Sequence, residues 1–328
     1  MRTNLKNIGL VVMATLALAS CNNDDNNQII ETPKTPTAAA FGGLREDALD
    51  AIKQEFTITA ENGLTTLTSA KGVEININGA CLTKNGNPVT GVVDIDYIEV
   101  FDGGTMLATD KTTMGQQPDG SMALIISGGE FFIEATQAGV PLAITCPMQL
   151  KIPANLTGGL QNNMLLWNGN IDEDGNLDWI RQDQNPNGQG GVFGEGTGGT
   201  AAYYAFVSDF GWTNVDKFYN DPRPKTTIQA TVPSGYDFEN SAIYLHYDGE
   251  GSALAKLDTY NAGVFSEHYG QIPIGLACHI IFVTEDNGNW RYAIKAATIT
   301  AGATYNFTLA ETTVGTEAQM KAAINALP

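Results

Sequence analysis

Residues 92 to 98 read Val92-Val93-Asp94-Ile95-Asp96-Tyr97-Ile98, and apolar and polar side chains alternate along most of this stretch. Because successive side chains of a β-strand point to opposite faces, such alternation is typical of a strand with one buried face. Turn-forming residues precede the run, as in Asn85-Gly86-Asn87-Pro88. The stretch therefore predicts a half-buried antiparallel strand.

Similar runs, separated by turn signals, occur on both sides of this strand. Seven to nine of them before residue 185 favour a β-sandwich over isolated hairpins. The predicted strands of this first part lie at 56–59, 66–68, 73–77, 92–98, 123–126, 130–135, 148–152, 164–167 and 177–180. Those of the second part lie at 203–207, 226–232, 242–247, 279–283, 291–296 and 304–309.

A glycine-rich segment, residues 185–200, separates the two groups of strands. It contains no lysine and no phosphate-binding loop motif, and so much glycine disfavours a packed element. We therefore expect a linker here, between domains at 44–184 and 201–328. The predicted fold class is all-β, with two antiparallel β-sandwich domains and short flanking helices at about 44–54 and 316–327.

Each flanking helix has an apolar face. In the first helix, Leu44, Ala48 and Ile52 share one side of a helical projection, and charged residues occupy the other. In the second helix, Thr316 and Gln319 have the spacing of a capping box, which predicts the helix start.

The N-terminus has the features of an export signal. Arg2 and Lys6 precede an apolar run of about a dozen residues, short of the roughly 20 needed to cross a bilayer as a helix. The run ends in Leu18-Ala19-Ser20-Cys21, which resembles the lipobox of bacterial lipoproteins. That resemblance implies a signal peptide at residues 1–20 and acyl chains, palmitate among them, on Cys21.

The region after Cys21 is polar and contains proline, which predicts a flexible tether over residues 21–43. The predicted location is the outer membrane, with the folded part on the cell surface or, as the alternative, facing the periplasm.

The charge of the chain excludes some partners. The full sequence carries 17 basic and 36 acidic residues, a net charge of −19. This is the wrong sign for nucleic acid, and for electrostatic docking on anionic lipid. Membrane attachment is therefore expected through the N-terminal lipid alone, and the remaining candidate partners are an envelope protein or a glycan.

Three cysteines remain if Cys21 is lipidated, and they allow at most one intramolecular disulfide. Cys81 and Cys146 fall in the same predicted domain and could pair. Each also lies among apolar residues, where a buried free thiol is the commoner state, so both alternatives stay open. No spacing of cysteines is typical of a zinc or redox motif.

One turn resembles a calcium-binding loop. Oxygen-bearing side chains alternate there, and Gly175 allows a sharp turn. The twelfth position holds Arg181 instead of a bidentate glutamate, so a solvated hairpin turn is the main expectation and a structural calcium ion the alternative. The candidate ligands are Asn170, Asp172, Asp174, Asn176 and Asp178.

No catalytic motif is evident, and no other cofactor is expected. His246 and His279 lie inside predicted strands and are expected to be structural, with no histidine–carboxylate cluster. Ser121 and Ser127 have no neighbouring base in the sequence. Carboxylate pairs of glycosidases can be far apart in a sequence, however, so a hydrolase remains the alternative to a binding protein.

The aromatic residues of the second domain are expected mainly in the core, with stacking on sugar rings as the alternative.

Two stretches resemble known modules of bacterial surface lipoproteins. Residues 72–82 and 88–97 resemble a ZU5-like β-sandwich, with residues 167–179 as its closing hairpin and 210–224 as the stretch that follows. Residues 228–309, with Gln271-Ile-Pro-Ile-Gly275, are similar to the transthyretin-like and carboxypeptidase-regulatory-like sandwich. The resemblance implies no catalytic residues.

The expected function is a lipid-anchored, non-catalytic module for binding, adhesion or scaffolding at the cell envelope. The alternative is a surface hydrolase or accessory enzyme acting on glycan or peptide.

Overall fold

The computed structural model describes residues 34–171, 175–182 and 191–328. Within these ranges the protein is all-β, as predicted, and Lys34–Pro328 form one compact unit. The predicted signal peptide, Cys21, and residues 21–33 of the predicted tether lie outside the described residues. Among the helices that are described, none has the length and apolar character needed to span a membrane.

Three sheets form the first part of the fold. Most strands pair with antiparallel neighbours, which satisfies their backbone groups without long crossovers. The eight-stranded sheet contains, in spatial order, Gln54–Thr59, Val92–Val100, Met122–Gln137, Gly211–Phe218, Leu165–Ile171, Leu177–Arg181 and Met114–Gln116, with Val140–Pro141 paired to Met122–Gln137. The five-stranded sheet contains Gly191–Glu195, Ala202–Val207, Met148–Pro153, Glu74–Asn78 and Leu64–Thr68, and the three-stranded sheet contains Ala143–Ile144, Leu82–Lys84 and Asn87–Pro88.

Side chains from the eight-stranded and five-stranded sheets meet in one apolar core. Ile95 and Tyr97, on the strand that alternates most clearly in the sequence, are 0 % exposed, whereas Val92 at its start is 60 % exposed. Ile75 and Leu150 enter the same core from the five-stranded sheet. The alternation thus identifies the buried face correctly.

Two strands beyond the predicted linker join these sheets. Ala202–Val207 pairs with Met148–Pro153, and Gly211–Phe218 pairs with Met122–Gln137. The prediction places both in the second domain. Within the predicted linker, Gly191–Glu195 is itself a strand that forms an antiparallel pair with Ala202–Val207. The glycines here permit a hairpin connection inside the first group of sheets.

Three further sheets form the second part of the fold. Their apolar core includes Ile243, Phe265 and Phe282, all at most 2 % exposed. The five-stranded sheet contains Ala255–Lys256, Ser241–Tyr247, Ala277–Asp286, Asn289–Thr298 and Thr313–Gly315. The four-stranded sheet contains Thr259–Asn261, Val264–Ser266, Gln229–Thr231 and Thr304–Asn306, and the two-stranded sheet contains Lys225–Thr226 and Ile272–Pro273.

Three α-helices in the described ranges, α1 (Ala38–Ile52), α2 (Gly103–Thr109) and α3 (Glu317–Asn325), share an apolar core with both parts of the fold. This core combines helix residues such as Phe41 and Met320 with Val100 from the first part and Ile281 from the second. Short 3₁₀ turns lie at Ala60–Asn62, Gly79–Cys81, Ala154–Thr157, Gly198–Thr200 and Leu309–Glu311.

The observed starts of α3 and α1 can be compared with the predicted helix starts. The capping box of Thr316 and Gln319 is present, and α3 begins directly after it. Helix α1 starts earlier than predicted, because the Thr37 side chain accepts a hydrogen bond from the Ala40 backbone N–H. Residues 38–43, predicted as tether, are therefore helical.

Cys81 and Cys146 form a disulfide, with Cα atoms 5.7 Å apart, and Cys278 is a buried free thiol. The bond lies beside the paired strands Leu82–Lys84 and Ala143–Ile144. This settles the alternative that the sequence leaves open. Apolar neighbours in the sequence are not evidence for free thiols here. Pairing of the two strands brings the backbones of Cys81 and Cys146 close enough for a disulfide.

Candidate functional site: a charged cleft with an aromatic rim

A cleft of about 720 Å³ lies among α1, the end of α2 and strands of the second part of the fold. A volume of this size falls in the range of small-ligand sites. Its described lining comprises Gly42, Arg45, Glu46, Leu49, Thr109, Asp110, Lys111, Gly175, Asn176, Phe238, Ser241, Lys256, Leu257, Asp258, Thr259, Tyr260 and Phe265.

Asp110 is the centre of a charge network in this cleft. It is the C-cap residue of α2 and has a left-handed backbone conformation, with φ of 54°. The Nη1 atom of Arg45 and the Nζ atom of Lys256 each lie 3.0 Å from its Oδ2 atom. The Tyr244 hydroxyl donates a hydrogen bond to Asp110 and accepts one of 2.9 Å from Arg45. One carboxylate thus fixes groups from α1 and from two strands.

Opposing effects act on the pKa of Asp110. Burial alone would raise it, but the charges of Arg45 and Lys256 and the hydrogen bond from Tyr244 lower the pKa to about 2. Burial also raises the pKa of Tyr244 well above its usual value. Asp110 is therefore an ionised, fully engaged group at neutral pH, and Tyr244 keeps its proton.

Lys111 contributes a further cation to the cleft lining. Its Nζ atom lies 5.5 Å from the centre of the Trp212 ring, which is a cation–π distance. Burial is the main cause that lowers its pKa, and the charges of Asp110 and Glu130 act against this shift.

Two aromatic rings, Phe238 and Tyr260, lie at the rim of the cleft. Their centres are 6.0 Å apart, and Phe238 is 59 % exposed. The Tyr260 hydroxyl donates a hydrogen bond of 3.2 Å to the backbone oxygen of Tyr236, which fixes the ring. Of the eleven aromatic residues between Phe210 and Tyr269, which the sequence predicts mainly in the core, four are buried and six are half-buried. Phe238 is the exposed one, and its ring lies beside polar groups.

Part of the predicted calcium turn borders this cleft. Asp172 and Asp174 lie outside the described residues, and Asn170 pairs with Asp178 across the two strands of the hairpin. The Oδ1 atom of Asn176 accepts a hydrogen bond of 2.8 Å from the ammonium group of Lys256. A protein cation therefore contacts one of the predicted calcium ligands.

A second polar site lies on the five-stranded sheet of the second part. His246 and His279 are directly opposite each other on neighbouring strands, and Asp248 follows two residues after His246. The Nδ1 atoms of His279 and His246 lie 2.7 Å and 3.9 Å from Asp248 Oδ1. Burial lowers the pKa of His246. The expectation that no histidine–carboxylate cluster occurs is wrong. The register of the two strands brings the residues together, and this register cannot be read from the sequence.

Two acidic side chains, Glu130 and Asp216, are completely buried in the eight-stranded sheet. Asn214 donates a hydrogen bond of 2.7 Å to Asp216, whereas within the described part of the chain both carboxyl oxygens of Glu130 lack a hydrogen-bond partner. Burial raises the pKa of both carboxyl groups well above their usual values. The Ser127 hydroxyl donates a hydrogen bond of 3.0 Å to the Asn214 side-chain oxygen. These groups form an interior polar cluster that solvent does not reach.

No family model matches the chain, and none of the curated proteins matches it either. The function therefore has to be inferred from the geometry of the cleft and from the sequence.

Proposed function

We propose that this protein is a lipid-anchored, non-catalytic binding module of the cell envelope whose cleft takes a neutral oligosaccharide. The observation that carries the proposal is the cleft itself, about 720 Å³ in volume, with the exposed ring of Phe238 at its rim. Aromatic rings with an exposed face suit the apolar face of a sugar ring, and the polar floor suits its hydroxyl groups.

The charge of the lining favours a neutral ligand. Three cationic side chains and three carboxylates occur among the described lining residues, so their formal charges cancel in a chain whose net charge is −19. The charged groups are Arg45, Lys111, Lys256, Glu46, Asp110 and Asp258. A polyanion would meet repulsion from the rest of the protein, whereas sugar hydroxyls can both donate to the carboxylates and accept from the cations.

The states of the carboxyl groups support binding over hydrolysis. A glycosidase needs a carboxylic acid with a raised pKa beside a second carboxylate. In the cleft, Asp110 has a pKa lowered to about 2 and is held by two cations, so it cannot donate a proton at neutral pH. Glu130 and Asp216 have raised pKa values, but both side chains are 0 % exposed and out of reach of a substrate.

The proposed location in the envelope has independent support. The disulfide between Cys81 and Cys146 is typical of proteins that fold outside the reducing cytosol. The lipobox-like Leu18–Cys21 supplies the proposed anchor. Two β-sandwiches, ZU5-like and transthyretin-like, remain the proposed architecture, and the shared apolar cores of paired sheets favour it.

The binding proposal is tested with a panel of immobilised neutral and acidic oligosaccharides and of peptides. We expect saturable binding of the full chain to neutral oligosaccharides, with little response to highly anionic ones. Binding to peptides alone would contradict the proposal, as would hydrolysis of a panel member during the incubation.

The anchor is tested separately with Cys21→Ala. We expect the unaltered protein in the membrane fraction, with a mass increased by its acyl chains, and the variant as unprocessed precursor without that mass. An unlipidated protein of ordinary cleaved mass would contradict the lipid anchor and leave the cleft proposal untouched.

A further inference from the structure

We propose that His246, Asp248 and His279 form a binding site for a divalent transition metal ion of the zinc type. The site lies on the sheet face that is directed toward the three helices and is separate from the cleft. It goes beyond the proposed function, which makes no use of a metal.

The strand geometry places the three side chains on one face. His246 and His279 are direct cross-strand partners. Asp248 is the first residue after the strand Ser241–Tyr247, and its backbone N–H still donates to the Ala277 carbonyl at 3.2 Å, which keeps it beside the neighbouring strand. The ligand atoms of the three residues all lie within 4.8 Å of one another. Two imidazoles and one carboxylate are a common ligand set for zinc and related ions.

The distances fit a single small ion. At the usual bond lengths, two ligand atoms on a tetrahedral zinc ion stand about 3.3 Å apart. The observed separations from Asp248 Oδ1 are 2.7 Å to His279 and 3.9 Å to His246, one shorter and one longer than this value. Shifts of less than about 1 Å would therefore bring both nitrogens to zinc-binding distance.

A buried atom without a partner points independently to a ligand. The His246 side chain is 2 % exposed, and its Nδ1 atom has no hydrogen-bond partner among the residues that the structure describes. Leaving a buried polar atom unpaired costs free energy, and a metal ion would satisfy it. On its other side the ring lies against Gly103 at the start of α2: a Cβ atom there would lie 3.7 Å from His246 Cδ2, an ordinary van der Waals contact.

The site is open toward solvent on one side. His279 and Asp248 are 14 % and 22 % exposed, so an ion can enter past them, and three protein ligands leave a position for water. Without metal, His279 and Asp248 share a hydrogen bond. Coordination through His279 Nδ1 would break this hydrogen bond: the single proton of a neutral ring would then reside on Nε2, whereas an imidazolium would lose its Nδ1 proton to solvent. Cys278 takes no part, because it lies on the opposite face and its thiol contacts the Ala297 carbonyl.

The test is calorimetric titration of Zn²⁺ into the full chain, stripped of metal and carrying no histidine tag. We expect one ion per chain, and at least about tenfold weaker binding in His279→Gln and in Asp248→Asn, since loss of even an outer partner of a metal ligand costs that much. The matched control is His268→Gln, because His268 also pairs with an aspartate, Asp258, at 3.0 Å but has no second histidine.

A second readout needs no variant. On saturation with Zn²⁺, the ring ¹⁵N resonances of two of the three histidines are expected to shift to metal-bound values while the third stays unchanged. The proposal is overturned if no saturable binding occurs, if His279→Gln binds as tightly as the unaltered protein, or if His268→Gln abolishes binding.

Discussion

Replacing Asp110 by asparagine removes the charge that holds Arg45 and Lys256 at the floor of the cleft, with little change in shape. The lowered pKa, from 3.8 to about 2, corresponds to about 2 kcal/mol of stabilisation at neutral pH. The variant also leaves the guanidinium of Arg45, 20 % exposed, without its carboxylate. Breaking such a pair costs about 3–5 kcal/mol when it is fully buried. We therefore expect Asp110→Asn to lower the free energy of unfolding by about 3 kcal/mol.

The assay is urea denaturation followed by tryptophan fluorescence, with Asp96→Asn as the control. Asp96 pairs with Lys53 at 3.3 Å, but both side chains are 33 % exposed, so we expect a loss below about 1 kcal/mol. A folded-state pKa below the unfolded one means that the stabilisation is present above pH 3.8 and is lost as the pH falls toward 2. The difference between the unaltered protein and Asp110→Asn should shrink in that window. Equal losses in Asp110→Asn and Asp96→Asn at pH 7 would refute the reasoning.

Three further predictions concern the scaffold. Because burial raises the pKa of Glu130, the folded state keeps a proton that the unfolded state loses above about pH 4.5. The free energy of unfolding should therefore fall with rising pH, by up to about 1.4 kcal/mol per pH unit. Glu130→Gln should remove this pH dependence when urea denaturation is repeated at several pH values. The double variant Cys81→Ala/Cys146→Ala removes a disulfide between residues 65 positions apart, so its free energy of unfolding should be about 4 kcal/mol lower in the same assay. An unchanged free energy of unfolding would contradict the disulfide. Gly104→Ala would place a Cβ 2.7 Å from the Lys321 carbonyl oxygen and should destabilise the protein. In the matched Gly42→Ala in α1, none of the described atoms outside the helix backbone lies within 4 Å of the new Cβ, so this variant should be stabilised by about 0.5–1 kcal/mol. The same sign for both would count against the packing of α2 on α3.

Local patterns account for the elements that were predicted well. The alternation in Val92–Val100 and the capping box at Thr316 act over a few residues, and both features are present. By contrast, α2 begins with two glycines, Gly103 and Gly104, which disfavour a helix. It forms because all seven of its residues are buried in the core that the helices share with both parts of the fold, and no local signal reports that burial.

Two predicted short strands merge into one for a related reason. The runs at 123–126 and 130–135 are parts of Met122–Gln137, which continues through Gly128 and Gly129. A Cβ atom on Gly129 would lie 2.5 Å from the Phe131 ring, so the glycine serves close packing and does not end the strand.

The cleft itself is a product of long-range contacts. Asp110 and Lys256 are 146 residues apart in the chain, and neither belongs to a recognisable motif. The spacing of His246 and Asp248 is visible in the sequence, but the contribution of His279 depends on strand register. Local spacing alone predicts the candidate ligands of the calcium turn, and one of them, Asn176, contacts Lys256. Residue spacing in the sequence can predict a site whose residues all lie on one segment of the chain. The cleft and the histidine site each combine residues from several segments.

The most direct test of the central claim compares the affinity of Phe238→Ala and Phe193→Ala for the oligosaccharide that binds best in the panel. Both phenylalanines are exposed, at 59 % and 49 %, but only Phe238 lines the cleft. Loss of one stacking ring costs about 1 kcal/mol, so we predict a dissociation constant about fivefold higher for Phe238→Ala and unchanged for Phe193→Ala. Full affinity in Phe238→Ala, or an equal loss in Phe193→Ala, would contradict the assignment of the cleft as the binding site.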